Sequence, residues 1–365
     1  MKSYETVLIK PASSLCNMNC DYCFYKDEVS HRDNACNPMM SEDTVRSILN
    51  DFLPLAKNLS ICFQGGEPTM AGLKWFQRFV EIERELNREH LTSVTYSIQT
   101  NGILIDEEWC KFLHENHFLV GVSFDGFPRL HDVHRGRTGR KVLSAVRMLK
   151  DHEVEFNIVC VVTDEMVDNA PQVWNYLMEN DFRYLQFIPC MNLMGKNGGH
   201  DFLSPRSYGM FLRFIAQQWN LCYKRGMPVY IRLLENFGSI LLGKGIEQCD
   251  INGHCSAQYV VESNGNVYPC DFYCLDECLL GNVNKDEIAS IDSRRYEMRF
   301  QEDSFCNDEE CRQCSFRPFC NGGCKRNRVN GRFRFCESYR MFLEDGMQHV
   351  VEVVSNIKSM EKGSS

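Results

Sequence analysis

The chain has 365 residues, 44% of them apolar, and a formal net charge of −9 from 40 basic and 49 acidic side chains. That length exceeds one ordinary core and implies a large domain plus a smaller one, while the acidic balance excludes a general pull toward nucleic acid or an anionic membrane. No apolar run approaches a membrane span, and the opening MKSYETVLIKPASSLC has neither the continuous apolar stretch nor the small-residue cleavage site of a secretory leader, so a cytoplasmic location is expected.

In chain order, β-rich runs are predicted at 5–11, 59–65, 92–100, 119–126, 155–163 and 183–189. Stretches of helical periodicity alternate with them, such as SEDTVRSILNDFL from Ser41, LKWFQRFVEIEREL from Leu73 and KVLSAVRMLKDH from Lys141. Ser41 is placed to cap the first of these helices, and Glu42 and Asp43 suit its first turn. Six alternating β and α units argue for an α/β fold with a parallel sheet, either doubly wound or a partial barrel. In a barrel the functional groups belong at the C-terminal ends of the strands, so chemistry is expected just after each run. Beyond residue 226 the pattern changes to hairpin signals, with Asn264-Gly265 suited to a tight turn, and then to a helical tail. The division falls at 1–228 and 229–365.

The chain carries 20 cysteines. Without an export signal, cysteines at short spacing point to metal rather than disulfides. Those spread through 36–222, together with Cys274, Cys278 and Cys306, follow no ligand pattern, and most are expected to be ordinary small core residues. Cys16, Cys20 and Cys23 are different. They form a C-x3-C-x2-C loop directly after the first strand. Three thiolates on one loop can hold three irons of a [4Fe–4S] cluster and leave the fourth iron open to a cofactor or substrate. A zinc site completed by His31 is the alternative.

With an aromatic residue, Tyr22, before its last cysteine, this loop resembles the signature of the radical S-adenosylmethionine superfamily. Gly65-Gly66-Glu67-Pro68 after the second strand resembles that family's GGEP segment, which meets the amino group of the cofactor. The resemblance implies a partial (β/α)6 TIM-like barrel and a cluster whose open iron chelates S-adenosylmethionine. Electron transfer then yields a 5′-deoxyadenosyl radical. It also implies cofactor contacts from Ser123 at the end of the fourth strand and from Arg135, whose guanidinium can grip a carboxylate. Gln64 and Met194 are expected to line the same site. For Arg135 the alternative is a solvated loop residue beside Arg137 and Arg140.

The C-terminal part has Cys255-x9-Gly265-x4-Cys270, then Cys311-x2-Cys314-x5-Cys320-x3-Cys324-x11-Cys336. By spacing alone this also suits a pair of structural zinc sites. It resembles the SPASM domain of radical enzymes acting on peptides. With Cys249 there are eight candidate ligands for two auxiliary [4Fe–4S] clusters, three clusters in all. The resemblance assigns Cys249, Cys255, Cys270 and Cys324 to the nearer one and Cys311, Cys314, Cys320 and Cys336 to the outer one.

The segments at 260–283 and 156–163 resemble the anaerobic sulfatase-maturating enzymes, as does Cys249-x5-Cys255. That resemblance implies oxidation of a cysteine or serine in a peptide or unfolded sulfatase to Cα-formylglycine. Asp271, next to Cys270, would be the base and an auxiliary cluster the electron acceptor. A reduced flavodoxin- or ferredoxin-type donor is implied, with no nucleic acid or membrane partner. A maturase forming a thioether or carbon–carbon cross-link in a ribosomal peptide is the alternative.

Overall fold

The structure, a computed structural model, describes residues 2–33, 37–194 and 202–363. The strands are β1 (Lys2–Lys10), β2 (Ala56–Phe63), β3 (Ser93–Thr100), β4 (Leu119–Ser123), β5 (Phe156–Val162), β6 (Tyr184–Pro189), β7 (Tyr230–Ile231), β8 (Tyr259–Glu262), β9 (Asn266–Tyr268) and β10 (Gly281–Asn282). Helices α1 (Phe24–Val29), α2 (Glu42–Phe52), α3 (Leu73–Leu86), α4 (Glu107–Glu115), α5 (Pro128–Arg135), α6 (Gly139–Asp151), α7 (Asp164–Asp168), α8 (Ala170–Glu179), α9 (Pro205–Lys224) and α10 (Arg232–Leu241) connect the first eight. All six predicted strands form, and each strand from β1 to β5 is followed by helix before the next.

The residues group into two compact units. One comprises Met1–Phe124, His131–Phe156 and Ala257–Phe300; the other comprises Asp125–Leu130, Asn157–Ser256 and Gln301–Ser365. Compactness therefore does not divide the chain at 228/229. The reason is strand pairing. β8 lies parallel to β1, with Val7 opposite Tyr259 and Ile9 opposite Val261, so a late segment extends the N-terminal sheet.

In the first unit the strand order is β10-β9-β8-β1-β2-β3-β4. The run from β8 to β4 is parallel, and the β8–β9 pair is the expected hairpin, closed by Gly265 N–H donating to the Glu262 carbonyl at 2.8 Å. α2 buries Val45, Ile48, Leu49 and Phe52, an i, i+3, i+4, i+7 stripe. Its cap is as predicted, with Ser41 Oγ accepting from Thr44 N–H at 3.2 Å. Phe63 packs edge-to-face on Phe76 and Phe79 of α3, with ring centroids 4.9 and 5.0 Å away.

In the second unit β5, β6 and β7 are parallel. α9 packs on the two C-terminal helices, Cys336–Asp345 and Met347–Gly363, through aromatic contacts such as Tyr208 on Phe335. Of the cysteines expected in the core, Cys110, Cys160, Cys190 and Cys222 are buried and Cys62 is partly so. Cys36 lies outside the described residues.

Candidate active site

The first unit brings three sequence-distant groups together beyond the C-terminal ends of its strands. The loop from Ser13 to Cys16 follows β1, and Gly65-Gly66-Glu67 follows β2. The two run side by side: Gly66 N–H donates to the Ser13 carbonyl at 2.9 Å and Glu67 N–H to the Leu15 carbonyl at 2.7 Å. A side chain at Gly66 would place its Cβ 2.3 Å from the Leu15 oxygen, and Gly65 has φ +113°. Both glycines are therefore required by backbone approach. Gly66→Ala is expected to cost about 1–3 kcal/mol, read as a lower denaturant midpoint; an unchanged midpoint would mean the cysteine loop yields without penalty.

Glu67 is almost fully buried. Its Oε1 accepts from Thr69 N–H at 3.0 Å, Thr69 Oγ1 at 2.5 Å and Thr100 Oγ1 at 2.7 Å, while Oε2 accepts from Asn101 N–H at 2.7 Å. Oε1 is thus saturated by protein donors, and Oε2 keeps acceptor capacity. Burial pushes the carboxyl up, opposed by these hydrogen bonds. Asn101 Nδ2 donates to Asn17 Oδ1 at 2.7 Å and lies 3.8 Å from Cys16 Sγ, so the end of β3 also supports the loop.

Arg135 is not a solvated loop residue. It ends α5, is buried, and stacks on the Tyr22 ring with its guanidinium carbon 5.3 Å from the centroid. The adjoining His134 Nδ1 lies 3.0 Å from Asp21 Oδ1, which ties the end of α5 to the loop between Cys20 and Cys23. Ser123 ends β4, its hydroxyl 3.1 Å from Gln99 Nε2. Met194 follows β6 in the second unit.

Asp271 starts a single helical turn directly after Cys270. Tyr25 O–H donates to Asp271 Oδ2 at 2.6 Å and lies 3.3 Å from Gln64 Oε1. Lys10 Nζ is 3.0 Å from Asp271 Oδ1, 3.5 Å from Glu28 and 3.7 Å from Glu262, and 3.1 Å from Cys274 Sγ. Arg32 pairs with Glu262 at 2.9 Å and with Glu28 at 3.3 Å. Lys10, Arg32, Glu28 and Glu262 all have side chains only 1–3% exposed. This buried charge cluster escaped sequence reasoning. Burial would lower the Lys10 pKa, but the surrounding Asp271, Cys274, Glu28 and Glu262 hold it well above the usual lysine range. Burial also pushes the Cys274 thiol well up.

In the second unit the cysteines fall into two groups. Cys249, Cys255 and Cys324 are electrostatic neighbours; the Cys249 side chain is exposed at the surface, and partial desolvation of its sulfur together with that proximity pushes the thiol up. Cys311, Cys320, Cys314 and Cys336 form the other, with Cys306 hydrogen-bonded to Cys311. Burial pushes Cys311 to about 12 and Cys320 to about 11. Cys270, expected with the first group, lies in the other unit. None of the described cysteines is joined in a disulfide. Clustered, desolvated thiols are costly to ionise alone, and a bound cation removes that cost, so the donor sets suit iron–sulfur clusters. Among the described residues no three Cys, His, Asp or Glu groups converge on a single ion. The thiolates of a four-iron cube bind separate corners and need no such point. Arg328 stitches the second unit's cysteine loops together, donating to the carbonyls of Gly253 (2.9 Å), Ser304 (2.6 Å), Gly322 (3.0 Å) and Gly323 (2.6 Å).

Residues 11–170 match the Radical SAM superfamily and residues 253–315 the SPASM iron-sulfur cluster-binding domain. A cysteine-type anaerobic sulfatase-maturating enzyme from Clostridium perfringens is 39% identical, the match covering 97% of this chain and 99% of the relative. A serine-type enzyme from Bacteroides thetaiotaomicron is 28% identical, over 96% and 91%. Among solved structures, native anSMEcpe with bound AdoMet and Kp18Cys peptide superposes with TM-score 0.90 at 37% identity, covering 97% of this chain and 99% of that one.

Proposed function

Because this chain belongs to the anaerobic sulfatase-maturating enzymes of the radical S-adenosylmethionine superfamily, we propose that it oxidises a cysteine side chain in a sulfatase-type peptide to Cα-formylglycine. The observation that carries this reading is Asp271. Its carboxylate is held at both oxygens, by Lys10 and by Tyr25, inside the unit that bears the Cys16–Cys23 loop. A base is what a side-chain oxidation needs besides hydrogen-atom removal and an electron acceptor.

When bound, the three [4Fe–4S] clusters and S-adenosylmethionine supply hydrogen-atom removal from the target β-carbon and take up the released electron. Cys16, Cys20 and Cys23 would hold the first cluster. Gly65, Gly66, Glu67, Ser123, Arg135 and Met194 would bind and orient the cofactor, with Tyr22 stacked under Arg135. Cys249, Cys255, Cys270 and Cys324 would hold one auxiliary cluster and Cys311, Cys314, Cys320 and Cys336 the other. Asp271 takes the thiol proton of the target, and Gln64, beside the Tyr25 hydroxyl, would line the cofactor site. The higher identity to the cysteine-type relative, 39% against 28% for the serine-type one, favours cysteine as the target. A reduced flavodoxin- or ferredoxin-type protein would deliver electrons in the cytoplasm. No helix among the described residues is long and apolar enough to cross a membrane.

The test is anaerobic incubation of the iron-reconstituted protein with reductant, S-adenosylmethionine and a peptide bearing a C-x-P-x-R or S-x-P-x-R motif. An aldehyde trapped by a hydrazide reagent is expected, faster from the cysteine peptide. Formation of 5′-deoxyadenosine with an unmodified peptide would sink this reading. A product lighter by two hydrogens and inert to the aldehyde reagent would favour a cross-linking maturase instead.

A further inference from the structure

A lysine ammonium is costly to bury unless its surroundings repay the lost hydration. Lys10 sits at the C-terminal end of β1, its side chain only 2% exposed. Of the three carboxylates around it, two have a nearer cation. Glu262 is 2.9 Å from Arg32 and 3.7 Å from Lys10, and Glu28 is 3.3 Å from Arg32 and 3.5 Å from Lys10. Asp271 is the exception. Among the described residues Lys10 is its only cationic partner, at 3.0 Å, the shortest of the three Lys10 contacts. The same ammonium lies 4.9 Å from the centre of the Tyr25 ring. Tyr25 in turn donates to the other oxygen of Asp271 at 2.6 Å.

We propose that Lys10 is a positioning residue for the peptide-oxidation step, one that fixes the plane of the Asp271 carboxylate and leaves a free lone pair facing the substrate. This rests on the reading of Asp271 as the base. Asp271 starts a turn of only three residues, whose own backbone does not lock the side-chain torsion. Two contacts on opposite oxygens do. A carboxylate offers about four acceptor positions; Tyr25 fills one on Oδ2, while the buried Oδ1 is paired with Lys10 by charge and accepts no hydrogen bond, so its acceptor capacity is kept. Glu28 and Glu262, although each is paired more closely with Arg32, add the negative charge that makes the ammonium tolerable in this interior. Cys274, which has no ligand assignment in the family pattern, fills the remaining side of Lys10 at 3.1 Å. A misplaced base costs about 10²-fold for a displacement near 1 Å.

The experiment compares Lys10→Met, Asp271→Asn and the double variant in the reconstituted full chain. Formylglycine and 5′-deoxyadenosine are measured side by side. Lys10→Met is expected to lower kcat for formylglycine about 10- to 100-fold with KM for the peptide little changed. Iron content and 5′-deoxyadenosine formation should persist, so more cofactor is consumed per product. In the double variant Lys10→Met should cost nothing beyond Asp271→Asn, because a residue acting through another has no effect once the other is gone. Lys10→Arg, which keeps the cation, should recover part of the rate. A wild-type product-to-5′-deoxyadenosine ratio in Lys10→Met, or multiplicative losses in the double variant, would overturn the proposal. Should Lys10→Met lose its iron, Lys10→Gln, an uncharged donor of nearly the same reach, is read by the same criteria. Full activity of Asp271→Asn alone would instead refute the base assignment, a failure distinct from that of Lys10.

Discussion

Replacing Cys16, Cys20 and Cys23 together by alanine is expected to abolish peptide oxidation and 5′-deoxyadenosine formation alike, while about eight of roughly twelve irons per chain remain. The loop supports this separation. Cys16 is exposed and Cys20 and Cys23 are only partly buried, so removing their sulfurs opens no core cavity. The backbone of the loop is held by other means: Gly66 and Glu67 amides on its carbonyls, Asn101 on Asn17, and Asp21 on His134. The eight C-terminal candidate ligands are untouched. Iron analysis, the visible absorption of the protein and the 5′-deoxyadenosine yield check the prediction together. Persisting 5′-deoxyadenosine would remove the loop from its assigned role. Loss of nearly all iron would show that the three groups do not assemble independently.

How much of this site was legible in the sequence follows from how far apart its parts lie along the chain. Cys16, Cys20 and Cys23 fall within one loop, and Gly65, Gly66 and Glu67 within one turn, so spacing carried the chemistry. Among the C-terminal cysteines, Cys311, Cys314 and Cys320 come from a run of short intervals, whereas Cys324 neighbours Cys249 and Cys255 from far along the chain, a grouping that spacing alone does not give. The parallel strands showed through apolar runs such as NIVCVV and LQFIP, which bury Ile158, Val159, Cys160, Leu185 and Phe187. β8 was legible as half of a hairpin but not as a partner of β1, because parallel pairing across some 250 residues leaves no local signal. The charge cluster was invisible for the same reason. Lys10, Glu28, Arg32, Glu262 and Asp271 come from β1, α1 and its end, β8 and the turn after Cys270, and nothing periodic links them. Arg328, which ties four carbonyls of the cysteine loops, is one of several basic residues in KRNRVNGRFR, and nothing local in that stretch marks it out. Arg135 offered two readings in sequence, and its burial excludes the solvated one.

Asp271→Asn is expected to lower formylglycine formation about 10²- to 10⁴-fold, the range by which a positioned general base accelerates proton transfer, while 5′-deoxyadenosine continues to form. The substitution keeps the shape of the side chain but removes its ability to accept and hold a proton. It also forces a choice. If the amide oxygen stays with the Tyr25 hydroxyl, the amide nitrogen faces the Lys10 ammonium where a carboxylate oxygen now lies at 3.0 Å. Two donors then confront each other in a buried site. If the amide turns over, its nitrogen faces the Tyr25 oxygen, a tolerable contact only if that hydroxyl redirects its proton toward Gln64, 3.3 Å away. The first arrangement sets two donors against each other at Lys10 and the second gives up the Tyr25–Asp271 hydrogen bond, so a stability loss of about 1–3 kcal/mol should accompany the catalytic one. The two effects separate experimentally. Denaturant unfolding of the reconstituted protein gives the first. The ratio of formylglycine to 5′-deoxyadenosine gives the second, because both products come only from protein that has remained folded and kept its iron. A ratio equal to that of the unsubstituted chain, even at reduced stability, would leave Asp271 as part of the buried charge cluster alone and return the search for the base to the other groups around the Tyr25 hydroxyl.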